Sequence, residues 1–205
     1  MAAAASIKGT IFAVAVEAIS KLLADGQISQ EDLERRLLPG DLPWLEQQIF
    51  ASGWYDIALY CRFQKALCDL TTDGGERGLL EMGARSAEKL IQASRYQQLD
   101  HLRHTELAKE RDPQKRFQAF GRDLRRLLTL SSSVYNFSRW QIQVDPQHVD
   151  RYVLEISDAA AFPDVWLWTN QGFINRMAAE HGTPELWRWE RPQRDVIVYR
   201  MTRAV

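Results

Sequence analysis

The sequence predicts an α+β fold, in which an N-terminal helical bundle packs on a small antiparallel sheet with a helix inserted between strand pairs. Apolar residues recur at helical spacing through most of residues 7–130. After Ser131 the spacing changes to every second residue, which is typical of half-buried strands. A capped helix that begins at Pro163 separates two pairs of such strands. We therefore expect a single domain over 1–205, with a helical part over 7–130 and a strand–helix–strand part over 133–203.

The N-terminal half predicts four helices in succession. The first spans Ile7–Ala24 and ends at Asp25-Gly26, and the second opens at Ser29 with a capping box that Asp32 completes. A third begins near Pro43, with Asp41 as its cap. Residues 52–55 read as a break, and Asp56 begins a helix with a buried face of Leu59, Tyr60, Phe63 and Leu67.

The next segment predicts three more helices. Leu79–Ala93 carries Gly83 on its apolar face, and a polar helix follows around Tyr96–Lys109. Asp112 caps the third, with proline at its first helical position. Its apolar stripe comprises Phe117, Phe120, Leu124, Leu127 and Leu128.

The C-terminal part predicts strands at Val134–Val144 and Tyr152–Ile156, then the helix from Pro163, then strands at Leu186–Glu190 and Val196–Met201. Gly172 lies at the centre of that helix, where glycine costs about 1 kcal/mol relative to alanine. We therefore expect the helix to cross the sheet closely at Gly172.

Composition bounds the class of protein. The chain of 205 residues is 45% hydrophobic and 26% charged, which suits a globular domain with a real core. Its formal charge of −1 gives no general attraction to nucleic acid. The apolar run from Ile11 contains Glu17 and is too short for a membrane span.

Two observations predict a cytoplasmic location. Residues 1–5 lack the basic region of a signal peptide. Cys61 and Cys68 lie two helical turns apart, about 10 Å, which is too far for a disulfide. We read them as free thiols of a reducing compartment.

Tryptophan is abundant in the strand–helix–strand part. Either an aromatic binding surface or pocket, or an aromatic core, would explain Trp140, Trp166, Trp168, Trp187 and Trp189. Trp166 and Trp168 point about 200° apart on a helix. One of the two should therefore face solvent, a pocket or a partner, unless a neighbouring helix covers it.

Catalytic and metal-binding patterns are weak. His101 and His104 could share a metal but have no third ligand in sequence, so surface histidines are the better interpretation. No Gly-x-Ser-x-Gly motif is present. A basic helix face at Lys115, Arg116, Arg122, Arg125 and Arg126 is interpreted as solvated rather than as a nucleic-acid site. We expect no cofactor, no haem and no stoichiometric metal.

Three segments of the sequence carry a family resemblance. Leu80-Glu-Met-Gly83-Ala-Arg85-Ser-Ala-Glu88-Lys-Leu90 is similar to the Gly-x-Arg-x-x-Glu-x-Leu helix of the haem–nitric-oxide-binding/TRAPP/vinyl-reductase-like superfamily. The helix from Pro163 through Gly172, followed by two terminal strands, is similar to the end of that fold. The Gly53-Trp54-Tyr55 segment resembles a family of uncharacterised myxobacterial domains of similar length within it.

That resemblance implies the predicted fold and three kinds of activity: haem binding, small-molecule sensing and vesicle tethering. Tyr135-Asn-Phe-Ser138-Arg139 departs from the Tyr-x-Ser-x-Arg signature of the haem-binding branch. We therefore expect a non-catalytic interaction or signalling module that binds a protein partner or forms a homodimer. The alternative is a sensor that holds a small apolar ligand between helices and sheet. An enzyme is the third hypothesis.

Overall fold

The computed structural model describes residues 4–92 and 112–205 and confirms the α+β class. Its α-helices are α1 Gly9–Ala24, α2 Gln30–Glu34, α3 Ile57–Thr71, α4 Gly75–Gln92, α5 Pro113–Val134 and α6 Asp164–Glu180, with a 3₁₀ turn at Leu42–Leu45. Its strands are β1 Ser6–Lys8, β2 Trp54–Asp56, β3 Arg139–Asp145, β4 His148–Ser157, β5 Trp187–Gln193 and β6 Val196–Met201. The predicted polar helix around Tyr96–Lys109 lies outside the described residues.

Local capping determines several helix starts, as predicted. Ser29 and Asp32 form a reciprocal capping box at α2. Asp56 accepts a hydrogen bond from the Ala58 N–H at 2.8 Å, and Asp112 accepts one from the Gln114 N–H at 2.9 Å. Each cap satisfies a backbone donor that the first helical turn leaves without a partner.

The beginning of the chain differs from the prediction. Residues 6–8 form β1 rather than the first turn of a helix, and the expected break at 52–55 contains β2. The two strands pair antiparallel, with Ile7 opposite Tyr55. Strands this short carry too little periodicity to be recognised in sequence, and their pairing joins segments far apart in the chain.

The main sheet has the strand order β3-β4-β6-β5 and is antiparallel throughout. Its first strand begins at Arg139 rather than at the predicted Val134, because α5 continues to Val134. Cross-strand pairs on its apolar face include Trp140 with Ile156, Leu154 with Tyr199, and Trp187 with Met201. The largest apolar cluster draws on both parts of the chain, from Phe12 and Phe63 to Ile197.

The inserted helix α6 packs most extensively against α4. Gly172 and Gly83 lie at this crossing, and each faces backbone of the opposite helix. The close approach expected at Gly172 is therefore present, but the expected partner was wrong: the neighbour is α4, not the sheet. No helix within the described residues is both long and apolar enough to cross a membrane.

Candidate functional site

The five tryptophans of the strand–helix–strand part do not form one surface. Trp140 lies on β3, and Trp187 and Trp189 lie on β5, at opposite edges of the sheet. Two strands, β4 and β6, therefore separate Trp140 from Trp187 and Trp189. The structure divides these rings among separate packed groups.

The first group surrounds Tyr135. Trp166 is only 3% exposed, and its indole N–H donates to the Tyr135 hydroxyl at 2.9 Å. Trp140 stacks on the Tyr135 ring with centroids 5.8 Å apart, and Phe162 stacks on Trp166 at 3.9 Å. This group is a core contact between α6, β3 and the segment that follows α5.

The other tryptophans pack elsewhere. Trp168 and Trp189 meet edge to face at 5.2 Å, and Trp168 also contacts the apolar cluster of Cys68, Leu79 and Met82. Trp187 is buried against Phe120. The two α6 tryptophans do point to different sides, and Trp168 is half-buried where it packs against α3 and α4. None of the five is among the large apolar side chains that are most exposed.

Two aromatic residues outside the five predicted site tryptophans are exposed instead. Phe50 is 61% exposed and Trp54 is 44% exposed, at the two ends of one turn. The Gly53 N–H donates to the Phe50 carbonyl at 2.9 Å, and the Phe50 N–H donates to the Tyr55 hydroxyl at 2.9 Å. In the sequence, Trp54 and Tyr55 marked a break between helices, and no pattern distinguished Phe50.

Lys8 completes this feature, which we call the Phe50–Trp54 surface (Lys8, Phe50 and Trp54). The Lys8 ammonium lies 4.2 Å from the Trp54 ring centroid and donates to the Ser52 carbonyl at 3.1 Å. A cation over an indole face is attracted by the ring quadrupole, by about 0.5–1 kcal/mol at an exposed site. The contact therefore orients the Trp54 ring.

The turn is held tightly against α1. A Cβ atom on Gly9 would lie 2.0 Å from the Phe50 carbonyl oxygen, so only glycine fits there. The Tyr55 ring anchors the other side, 5.2 Å from Phe12 and 5.5 Å from Trp44. The exposed aromatic residues thus lie on a turn with a defined position.

The outer edge of β2 is open. The Gly9 N–H donates to the Gly53 carbonyl and the Ile57 N–H donates to the Ala5 carbonyl, so alternate residues face β1. Alternation turns the N–H and C=O of Trp54 away from β1, and no described residue hydrogen-bonds to them.

A buried polar cluster lies between α3, α6 and the sheet. Burial raises the pKa of Tyr60, Tyr135 and Tyr199, so these phenols stay protonated. The Gln64 amide nitrogen donates to the Tyr60 hydroxyl, while Gln64 Oε1 has no hydrogen-bond partner among the described residues. Burial also raises the pKa of the Cys61 thiol, which makes it a poor nucleophile.

His181 ends α6 in a buried position, 5.8 Å from the Phe120 ring. Burial lowers its pKa, and the carboxylates of Asp123 and Glu180 oppose that shift. Among residues 4–92 and 112–205, no three His, Cys, Asp or Glu side chains converge on a possible metal position. His101 and His104 lie outside the described residues.

No known protein family, curated protein or solved structure matches the chain. The resemblance to the haem–nitric-oxide-binding/TRAPP/vinyl-reductase-like superfamily therefore stays a prediction carried by its sequence motifs.

Proposed function

We propose that this protein is a non-catalytic interaction module that binds a protein partner, or a second copy of itself, through the Phe50–Trp54 surface. The observation that carries the proposal is the exposure of two aromatic side chains, 61% for Phe50 and 44% for Trp54, on one turn. Tryptophan is among the residues that most often anchor interfaces.

The rigidity of the turn supports binding. Lys8 orients the Trp54 ring, and Tyr55 holds the Phe50 backbone. Binding to a preorganised surface costs less conformational entropy than binding that must first order a loop. The fixed position of the turn therefore supports a binding role for its exposed aromatic side chains.

The buried chemistry supports the non-catalytic part of the proposal. Among the described residues, the most strongly shifted pKa values belong to three phenols and a thiol held protonated inside the core, namely Tyr60, Tyr135, Tyr199 and Cys61. A protonated, buried thiol is a poor nucleophile. We also propose a cytoplasmic location, which the two free, buried thiols Cys61 and Cys68 support.

Affinity capture tests the proposal. Tagged wild-type protein is compared with Trp54→Ala and Phe50→Ser, and the control is Val149→Ala, which removes an 83% exposed apolar side chain from β4. We expect the surface variants to lose partner capture or self-association at an unchanged melting temperature, while the control retains both. Identical capture by all four proteins would refute the Phe50–Trp54 surface as the binding site.

A small-molecule sensor is the second candidate, favoured by one observation. Gln64 Oε1 and Asn170 Nδ2 are buried without a hydrogen bond of good geometry among the described residues, although the Asn170 amide lies close enough to Tyr199 to oppose the rise in the pKa of that phenol. A bound polar group would relieve the cost of leaving them unpaired. Native mass spectrometry of freshly purified protein should then show an added mass that Gln64→Leu loses, and a bare chain mass would exclude this candidate.

A further inference from the structure

We propose that the occupant of the Phe50–Trp54 surface is a second copy of this chain, which pairs the outer edge of its own β2 antiparallel with that of the first. The inference rests on the proposed function and names its partner. It joins two β1–β2 ribbons into one four-stranded sheet across a two-fold axis.

The backbone of β2 is open at Trp54. The N–H and C=O of Trp54 point away from β1 and have no partner among the described residues. An open strand edge is a template for pairing with another chain, because its donors and acceptors already have strand geometry. Antiparallel pairing about a two-fold axis presents the same donor and acceptor from both copies.

The other end of the molecule shows how this fold protects an edge. On β5, Gln171 accepts from the Trp189 N–H at 2.9 Å, and Asn175 bonds both the N–H and the C=O of Trp187. Helix α6 therefore covers the β5 edge with amide side chains. At β2 no described residue does this, and the edge carries an exposed tryptophan.

The charges along the β1–β2 ribbon favour a second copy of this chain as the partner. Lys8 lies opposite Trp54 in the ribbon, and Ser6 lies opposite Asp56, so the ribbon has a cation near one end and an exposed carboxylate near the other. Antiparallel pairing places the Asp56 end of each copy beside the Lys8 end of its partner. Both ion contacts are then attractive, which makes the edge complementary to itself.

Sedimentation velocity over a wide protein concentration range tests the pairing. We expect wild-type protein to form a dimer that dissociates on dilution. Trp54→Lys removes the aromatic anchor and adds charge to the edge, so the dimer dissociation constant should rise by about thirtyfold or more. Val149→Lys makes the same kind of change on the exposed tip of the β3–β4 hairpin and should leave the dimer unchanged.

Two further measurements identify the edge itself. Lys8→Glu should weaken the dimer while Lys8→Arg preserves it, because only Lys8→Glu reverses the charge next to Asp56 of the partner subunit. Amide exchange at Trp54 should slow as the dimer forms, since its N–H gains an acceptor. Circular dichroism melts confirm that each variant is folded.

The outcomes separate the two proposals. A wild-type chain that is monomeric at every concentration overturns self-pairing, and so does a dimer that Trp54→Lys leaves intact. If the chain is monomeric but Trp54→Ala abolishes capture of a different protein, the proposed function stands and only its partner changes. If capture is also unaffected, both proposals fail.

Discussion

Gly172 in α6 lies so close to Leu80 in α4 that a Cβ atom on the glycine would be 2.0 Å from the Leu80 carbonyl oxygen. The relationship is reciprocal, because a Cβ atom on Gly83 would lie 1.9 Å from the Thr169 carbonyl oxygen. Two helices therefore meet backbone to backbone, at a separation that only residues without a side chain permit. This crossing holds the helical part against the helix that is inserted between the strand pairs.

Alanine at either glycine should destabilise the protein. Because the atom that a new methyl group meets is backbone, it cannot move aside as a flexible side chain would, so α4 and α6 must separate. We expect Gly172→Ala and Gly83→Ala each to lower the free energy of unfolding by about 1–3 kcal/mol, measured by urea denaturation. Gly40→Ala is the control, since apart from its two chain neighbours no described residue has an atom within 4 Å of its Cβ position. Equal stability of all three variants would contradict the close crossing.

Removing Asp41 should loosen the attachment of the segment before β2. Arg62 in α3 donates to both carboxylate oxygens of Asp41 at 2.7 Å, and Asp41 is buried while Arg62 is partly exposed. Loss of the carboxylate leaves the guanidinium and the Leu38 N–H without their acceptor. Because solvent reaches Arg62, we expect Asp41→Ala to cost about 1–3 kcal/mol in thermal unfolding, less than a fully buried pair.

Asp41→Asn separates charge from hydrogen bonding in the same pair. Its side-chain oxygen can still accept from the Leu38 N–H, but its charge is gone. Stability between that of wild type and Asp41→Ala is expected. An Asp41→Ala protein as stable as wild type would show that the pair contributes nothing.

Asn175 should contribute to stability and to resistance against aggregation, because it protects the β5 edge. Its side chain accepts from the Trp187 N–H at 2.7 Å and donates to the Trp187 carbonyl at 3.0 Å. Asn175→Ala leaves both groups without that partner, at a cost of about 1–3 kcal/mol, and opens a strand edge to aggregation. Melting curves and light scattering measure the two effects. Asn175→Asp keeps only the acceptor, so its loss of stability should be smaller.

Stability should fall as the solution becomes acidic, in part because of His181. Burial lowers its pKa, whereas the unfolded chain titrates near the ordinary value of about 6.5. Above about pH 6.5 both states are neutral at this residue. As the pH falls below it, the unfolded state gains a proton that the folded state resists, so the free energy of unfolding decreases until the folded pKa is passed.

Denaturant unfolding between about pH 7 and 5 tests the histidine. His181→Gln should flatten the pH dependence, because its side chain does not titrate. The carboxylates of Asp123 and Glu180, which face the ring, remain in that variant. His148→Gln is the control on an exposed strand end. An unchanged slope in His181→Gln would show that other groups produce the acid sensitivity.

Some of the candidate site could be anticipated from sequence and some could not. The opposed directions of Trp166 and Trp168 follow from helix geometry alone, and the structure shows them. That Trp168 is half-buried against α3 and α4 depends on how separate helices pack. The exposure of Phe50 could not be anticipated either. Exposure depends on which residues pack around a side chain, and an isolated apolar residue in a loop belongs to no periodic pattern.

The sequence by itself determined the features whose causes act over a few residues. Ser29, Asp56 and Asp112 begin helices because their side chains cap donors in the next turn, and the alternation from Trp140 to Val144 makes a strand with one apolar face. Only the tertiary structure decided which segments meet. The pairing of β1 with β2 and the contact of Gly172 with α4 join residues that are distant in the chain. The first of these contacts also leaves the outer edge of β2 open at Trp54. Such contacts depend on the packing of the whole molecule, which no local spacing records.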